Sequence, residues 1–143
     1  HKILLYIVQI HFLDEKFKIE FLVHCSPSIL YNMISTPSGL SEWFSDDVNI
    51  KGDQYTFLWD DSEEVATLVR QKKGEYIRFH WEEHDEEDTY LELRIKIDEL
   101  TKEVALIVTD FADEEDVEEA KMLWENQINA SAMYVKSFSK IFH

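Results

Sequence analysis

SPSILYNMISTPSGLSEWFSDDV, residues 26–48, decides how the rest of the chain is read. Ser26 is a natural N-cap and Pro27 a natural first helical residue. Thr36-Pro37 closes that helix, because the residue before a proline avoids the helical region. Ser38 is then placed to cap a second short helix that carries Leu40, Trp43 and Phe44 at helical spacing. An acidic turn follows, and from Asp47 the apolar residues alternate as they do in a strand. A pair of short helices therefore joins whatever lies upstream to a sheet downstream, with a Trp-Phe pair at the joint.

Upstream lies a strand. Phe17, Ile19, Phe21, Val23 and Cys25 share one face, as a half-buried strand requires. Downstream, VNIKGDQYTFLWD reads as a hairpin turning near Gly52, with Tyr55, Phe57 and Trp59 on one face. EVATLVRQKKGEYIRFHWEE reads as a second hairpin, turning at Lys73-Gly74. In TYLELRIKID, Leu91, Leu93, Ile95 and Ile97 point one way, while Glu92, Arg94 and Lys96 point the other. EVALIVTDF is apolar on both faces until Thr109 and Asp110, which suits a strand covered on both sides.

The tail carries a helical pattern. Asp113 is a candidate cap, and DEEDVEE puts acid where the helix dipole favours it. Val117, Ala120, Trp124, Ile128, Ser131, Val135, Phe138 and Phe142 follow three- and four-residue steps, and Leu123, Ala130, Tyr134 and Ile141 widen the stripe. A helix over residues 113–142 would run about 45 Å, enough to cross a sheet. The predicted order is strand, two short helices, about six further strands and one long helix. The fold class is α+β, with a curved antiparallel sheet of six to seven strands wrapped around the C-terminal helix.

Composition bounds the function. The chain has 143 residues, 45% of them hydrophobic and 13% aromatic, which suits one globular domain over residues 1–143. Thirty acidic residues against fourteen Lys and Arg give a formal charge of −16, which repels nucleic acid and anionic membranes. Cys25 is the sole cysteine, so no intrachain disulfide forms, and a reducing cytoplasmic location is expected. HKILLYIVQIHF, residues 1–12, is too short to span a bilayer and lacks the cleavage site of a signal peptide. It is expected to add a strand or packing arm within the chain, or to pair with a second copy as a homodimer.

The order of elements resembles the helix-grip fold of the START-like superfamily, which includes the birch-pollen allergens and is also called SRPBCC. The likeness is strongest to the branch related to the activator of heat-shock-protein ATPase, and to its small bacterial START-like members. SPSILYNMISTPSGLSEWF carries it at the strand-to-double-helix entry, and VTDFADEEDVEEAKMLWENQIN at the last strand and the start of the long helix. The resemblance runs from about Phe17 to about Ala130. It implies a cavity between sheet and long helix. Relatives bind lipids, hormones or polyketide intermediates, a few act as cyclases, and some assist chaperones.

No catalytic signature accompanies the fold. HWEEH (His80 to His84) has the residues of an inverted zinc-protease motif, but that chemistry needs both histidines on one helical face. On a strand they stand roughly 13 Å apart, so no metal site is assigned. EEHDEED (Glu82 to Asp88) reads as a solvated hairpin. No cofactor is expected. Trp43, Phe44, Phe57, Trp59, Phe79, Trp81 and Trp124 form a set suited to line a cavity. With Leu40, Thr109 and Ile128 they make up the expected ligand-binding residues. Arg78 and His80 belong to the face opposite Ile77, Phe79 and Trp81. The leading expectation is a non-catalytic protein that holds a small apolar or amphipathic ligand in that cavity. A cyclase- or hydrolase-like enzyme is the first alternative, needing an inward acid–base pair such as Asp110 with a histidine. A chaperone-linked interaction module is the second.

Overall fold

The structure is a computed structural model. It describes residues 14–84, 88–130 and 134–142, with side chains for 15–84 and 88–130. The segment 1–12, and with it the expected arm or dimer strand, lies outside the described residues.

Up to the C-terminal helix the elements follow in the expected order, and a further strand comes after it. Strand β1 (Asp14–Val23) leads into helices α1 (Pro27–Ser35) and α2 (Pro37–Trp43). Six strands follow: β2 (Asp47–Lys51), β3 (Gln54–Trp59), β4 (Ser62–Lys72), β5 (Tyr76–Trp81), β6 (Leu91–Ile97) and β7 (Val104–Asp113). Helix α3 (Val117–Asn129) and strand β8 (Tyr134–Phe142) complete the chain. One curved antiparallel sheet runs β2-β3-β4-β5-β6-β7-β1-β8. The hairpins turn where glycine was expected, at Gly52 and Gly74, both with positive φ.

The caps differ in one respect. Ser26 Oγ accepts from Ile29 N at 3.2 Å as expected, but the second helix is capped by Thr36, not Ser38. Thr36 Oγ1 accepts from Gly39 N at 3.0 Å and donates to Asn32 O at 2.8 Å. One side chain thus serves the end of α1 and the start of α2. Asp113 gives no side-chain cap either; a 3₁₀ turn over Glu114–Asp116 precedes α3.

The tail corrects the sequence reading. The helix expected over residues 113–142 stops at Asn129, so it spans about 20 Å rather than 45 Å. Residues 134–142 form β8, which pairs with β1 from Lys18↔Phe142 to Val23↔Tyr134. The physical reason lies in residue type. VEEAKMLWENQIN is rich in helix formers, whereas YVKSFSKIF is rich in aromatic and β-branched residues. The outer edge of β1 offers that segment a ladder.

The core lies on the concave face. Phe17, Ile19, Phe21, Phe57, Ile77, Phe79, Leu91, Leu93 and Leu106 are fully buried there, each worth about 1.5–3 kcal/mol against exposure. Helices α1 and α2 cover the β5–β6 and β2 side, and α3 covers the β1–β7 side. Trp124 and Ile128 of α3 point into this core.

Candidate functional site on the concave face

Phe44 follows the last turn of α2 and stands at the centre of the aromatic set. Its ring centroid lies 5.4 Å from Trp43, 5.0 Å from Phe57, 5.5 Å from Trp59, 6.4 Å from Trp81 and 5.4 Å from Trp124. The Trp124 ring is stacked on it, at an interplanar angle of 14°. Phe79 continues the layer beneath Phe57 at 5.9 Å. Leu40 and Ile128 are fully buried in the same cluster. The structure thus brings nine of the ten expected ligand-binding residues onto one face.

Thr109 is the exception. It pairs with Glu92 of β6 and Lys18 of β1, so it stands on the convex face. Its hydroxyl is buried, with no hydrogen-bond partner among the described residues. Asp110, its neighbour, faces the concave side instead. It accepts from the Trp124 indole at 3.1 Å.

Between Trp43, Trp59 and Trp124, where a cavity between sheet and helix was expected, the Phe44 ring occupies the space. Open space begins outside it. A cleft of about 180 Å³ is lined by Phe44, Asp110, Ala120, Leu123, Trp124 and Gln127. Its floor is the Phe44–Trp124 stack and its rim is polar. Gln127 Nε2 donates to Phe44 O at 2.5 Å, and Trp59 Nε1 donates to the same carbonyl at 3.1 Å. Trp43 Nε1 is held by Met33 O at 2.8 Å. These bonds satisfy the indoles of an otherwise apolar cluster and tie α2 and α3 together beside the cleft.

Carboxylates gather at this end, among them Glu83 of the run expected to form a solvated hairpin. Glu64 pairs with Phe57 across the β3–β4 ladder, so it shares the concave face. Burial, then hydrogen bonding to Glu83 and the charges of Glu83 and Asp110, push its carboxyl up to about 7. The signal in the sequence was Glu64 itself, two residues before the core residue Ala66 on the inward row of β4. A carboxyl raised from 4.5 to about 7 is protonated in the folded chain and ionised in the unfolded one across that window. The folded state binds more protons there, so stability falls as pH rises from 4.5 to 7. The side chain is only partly buried, and solvent screening reduces the effect to about 1–2 kcal/mol. Urea melts at pH 5 and pH 7.5 should show this loss in the wild type and a flatter dependence in Glu64→Gln. Identical pH dependence in both proteins would refute it.

Among the described residues no group of three or more His, Cys, Asp or Glu side chains is placed to hold a metal ion. His80 lies in β5 and His84 just beyond it, each with Nδ1 turned toward Thr89, at 3.0 Å from its carbonyl and 3.5 Å from its hydroxyl. Burial pushes the Cys25 thiol up, away from the thiolate form that reacts. No described helix is long and apolar enough to cross a membrane.

This architecture, with paired short helices feeding a curved sheet closed by a C-terminal helix, is that of a START-like domain. The START-like superfamily domain model matches residues 13–137, and the chain belongs to that superfamily. Among solved structures it is similar to BfR322 from Bacteroides fragilis, at 32% identity over 86% of this chain and 94% of that one, with a TM-score of 0.61. The Aha1 dimer from Colwellia psychrerythraea matches at 12% identity over 84% and 97%, with a TM-score of 0.58. CalU16 from Micromonospora echinospora matches at 13% identity over 81% and 71%, with a TM-score of 0.62. The last two likenesses are of fold alone. No curated protein matches the chain.

Proposed function

We propose that the protein binds a small amphipathic molecule at the opening between α2 and α3 on the concave face. One observation carries the reading: the cleft places a stacked Phe44–Trp124 floor directly beside the polar Asp110 and Gln127. Binding sites combine apolar walls with a few placed polar groups in this way. About 180 Å³ accepts a ring or the end of an acyl chain, and the rest of a longer ligand would lie along α3 beside the exposed Leu123.

A panel of fatty acids, sterols and aromatic polyketide-like compounds tests this through tryptophan fluorescence and melting temperature. At least one class should shift the emission and raise the melting temperature by mass action. Leu123 is 60% exposed, so Leu123→Glu leaves the fold intact and should abolish both effects. Equal responses in the two proteins, or none across the panel, would overturn the proposal.

One observation favours the enzyme alternative in a changed form. Asp110 and His80 occupy opposite faces of the sheet, so they do not form an acid–base pair. Glu64 and Glu83 do share the concave end, with Glu64 raised toward neutrality, as acid–base pairs in enzymes are. A homodimer formed through residues 1–12 stays part of the proposal, alongside the dimeric state of the Colwellia protein.

A further inference from the structure

The convex face of a sheet with one covered side usually meets water. Here it carries buried charge. Glu92 is 5% exposed. Arg78 donates to its Oε1 through Nη2 at 2.8 Å and through Nε at 3.2 Å, and Arg94 donates to Oε2 through Nε at 2.9 Å. Burial raises the Glu92 carboxyl, but the hydrogen bonds and charges of Arg94 and Arg78 outweigh it and hold it below the usual range. Each arginine also lies over a ring: Arg78 is 4.1 Å from the centroid of Tyr90, and Arg94 is 4.2 Å from that of Tyr76. Arg78 is therefore fixed from two sides. Its Nη1 has no hydrogen-bond partner among the described residues.

His80 is fixed as well. Its Nδ1 lies 3.0 Å from the Thr89 carbonyl. A carbonyl only accepts, so Nδ1 carries the proton and donates. In its neutral form the ring then presents Nε2 as an acceptor, and Nε2 has no partner among the described residues. Arg78 and His80 are two residues apart on β5, on the same face. Opposite them, β4 bulges between Leu68 and Arg70, which inserts Val69 as an additional residue. Bulges next to binding sites re-aim side chains in this manner. Thr67, Val69, Arg78, His80 and Tyr90, with Asp88 and Thr89, line a cleft of about 450 Å³. That volume is in the range of small-molecule sites.

The geometry points to a second ligand site in this convex cleft, for a neutral, planar molecule that offers an acceptor to Arg78 Nη1 and a donor to His80 Nε2. Tyr90 and Val69 supply the apolar walls. The charges disfavour an anion: Glu92 already answers Arg78, Asp88 adds a carboxylate to the lining, and the chain carries −16 overall. A ligand anion meets repulsion there. The site is independent of the concave cleft, being on the other face of the sheet.

Amide NMR of ¹⁵N-labelled protein tests it with three probes: 4-hydroxybenzamide, benzoate and toluene. 4-Hydroxybenzamide should shift the Val69, Arg78 and Tyr90 signals saturably, with a Kd in the low millimolar range expected of a fragment. Benzoate and toluene should bind at least five-fold more weakly. His80→Leu should weaken 4-hydroxybenzamide about ten-fold, the value of one hydrogen bond. Val69→Glu, at a side chain 53% exposed, keeps the fold and should abolish the shifts. Equal binding of all three probes, shifts centred on Phe44 and Trp124, unchanged affinity in both variants, or no saturable shift would each overturn the inference.

Discussion

Replacing Phe44 with alanine should destabilise the protein by about 3–5 kcal/mol, the usual cost of truncating a buried aromatic residue. Phe44 is 5% exposed, and its ring approaches all four tryptophans of the chain. Deleting it removes transfer energy and leaves a void that Trp43, Trp59, Trp81 and Trp124 cannot close together, because each indole is anchored or wedged. Trp43, Trp59 and Trp124 are tied by hydrogen bonds to Met33, Phe44 and Asp110. The Phe44 carbonyl belongs to the backbone and keeps its bonds in the variant. Chemical denaturation gives the energy, and native-state fluorescence should change at the same time. A loss below about 1 kcal/mol would mean that the ring is not the centre of a packed cluster.

Gly39→Ala should also be destabilising, by about 2–3 kcal/mol, although alanine is the better helix former. A methyl group at Gly39 would meet the Asn32 carbonyl oxygen and stand 2.6 Å from Met33 Cα. Both belong to the backbone of α1, so no side-chain rotation relieves them, and overpacking of this kind costs about 1–3 kcal/mol or more. The gain in helix propensity is at most about 1 kcal/mol. Sterics therefore decide the sign. Thermal or urea melts settle it: a variant as stable as the wild type or more so would show that α2 can move away from α1 without loss. The lack of a side chain at Gly39 is what lets α1 and α2 touch.

Strands β1 to β6 were legible because their apolar residues alternate and Gly52 and Gly74 mark the turns, and β7 because its apolar run suits a strand covered on both sides. Helices α1 and α2 were legible from Ser26-Pro27 and Thr36-Pro37. The end of α3 was not. Tyr134, Phe138 and Phe142 satisfy a four-residue step and a two-residue step equally, so periodicity alone could not separate helix from strand. Only residue type and the waiting edge of β1 decide it. Thr109 was misplaced because β7 is apolar on both faces, leaving nothing in the sequence to say which side is which. The aromatic set at the concave site was readable from composition. That Phe44 fills its middle was not, since filling depends on rotamers and crossing angles. Glu64 meets Glu83 only through the β4–β5 pairing, and the convex cleft depends on a bulge at Val69 that no sequence pattern marks. Arg78 and His80 were assigned to the correct face, but the cleft there needed the ladder to become visible.

The sheet order has a consequence for how the chain reaches this state. β2 to β7 form a meander of sequence neighbours, joined by connections of two to nine residues. β1 instead pairs along its whole length with β7, from Asp14↔Asp113 to Val23↔Val104. That ladder closes a loop over residues 24–103, and loop-closure entropy is lost before its contacts reward it. Docking of β1 is thus the kinetically demanding step. Until β7 is available, the row Phe17, Ile19, Phe21 is the surface that a partly folded or newly made chain leaves in water.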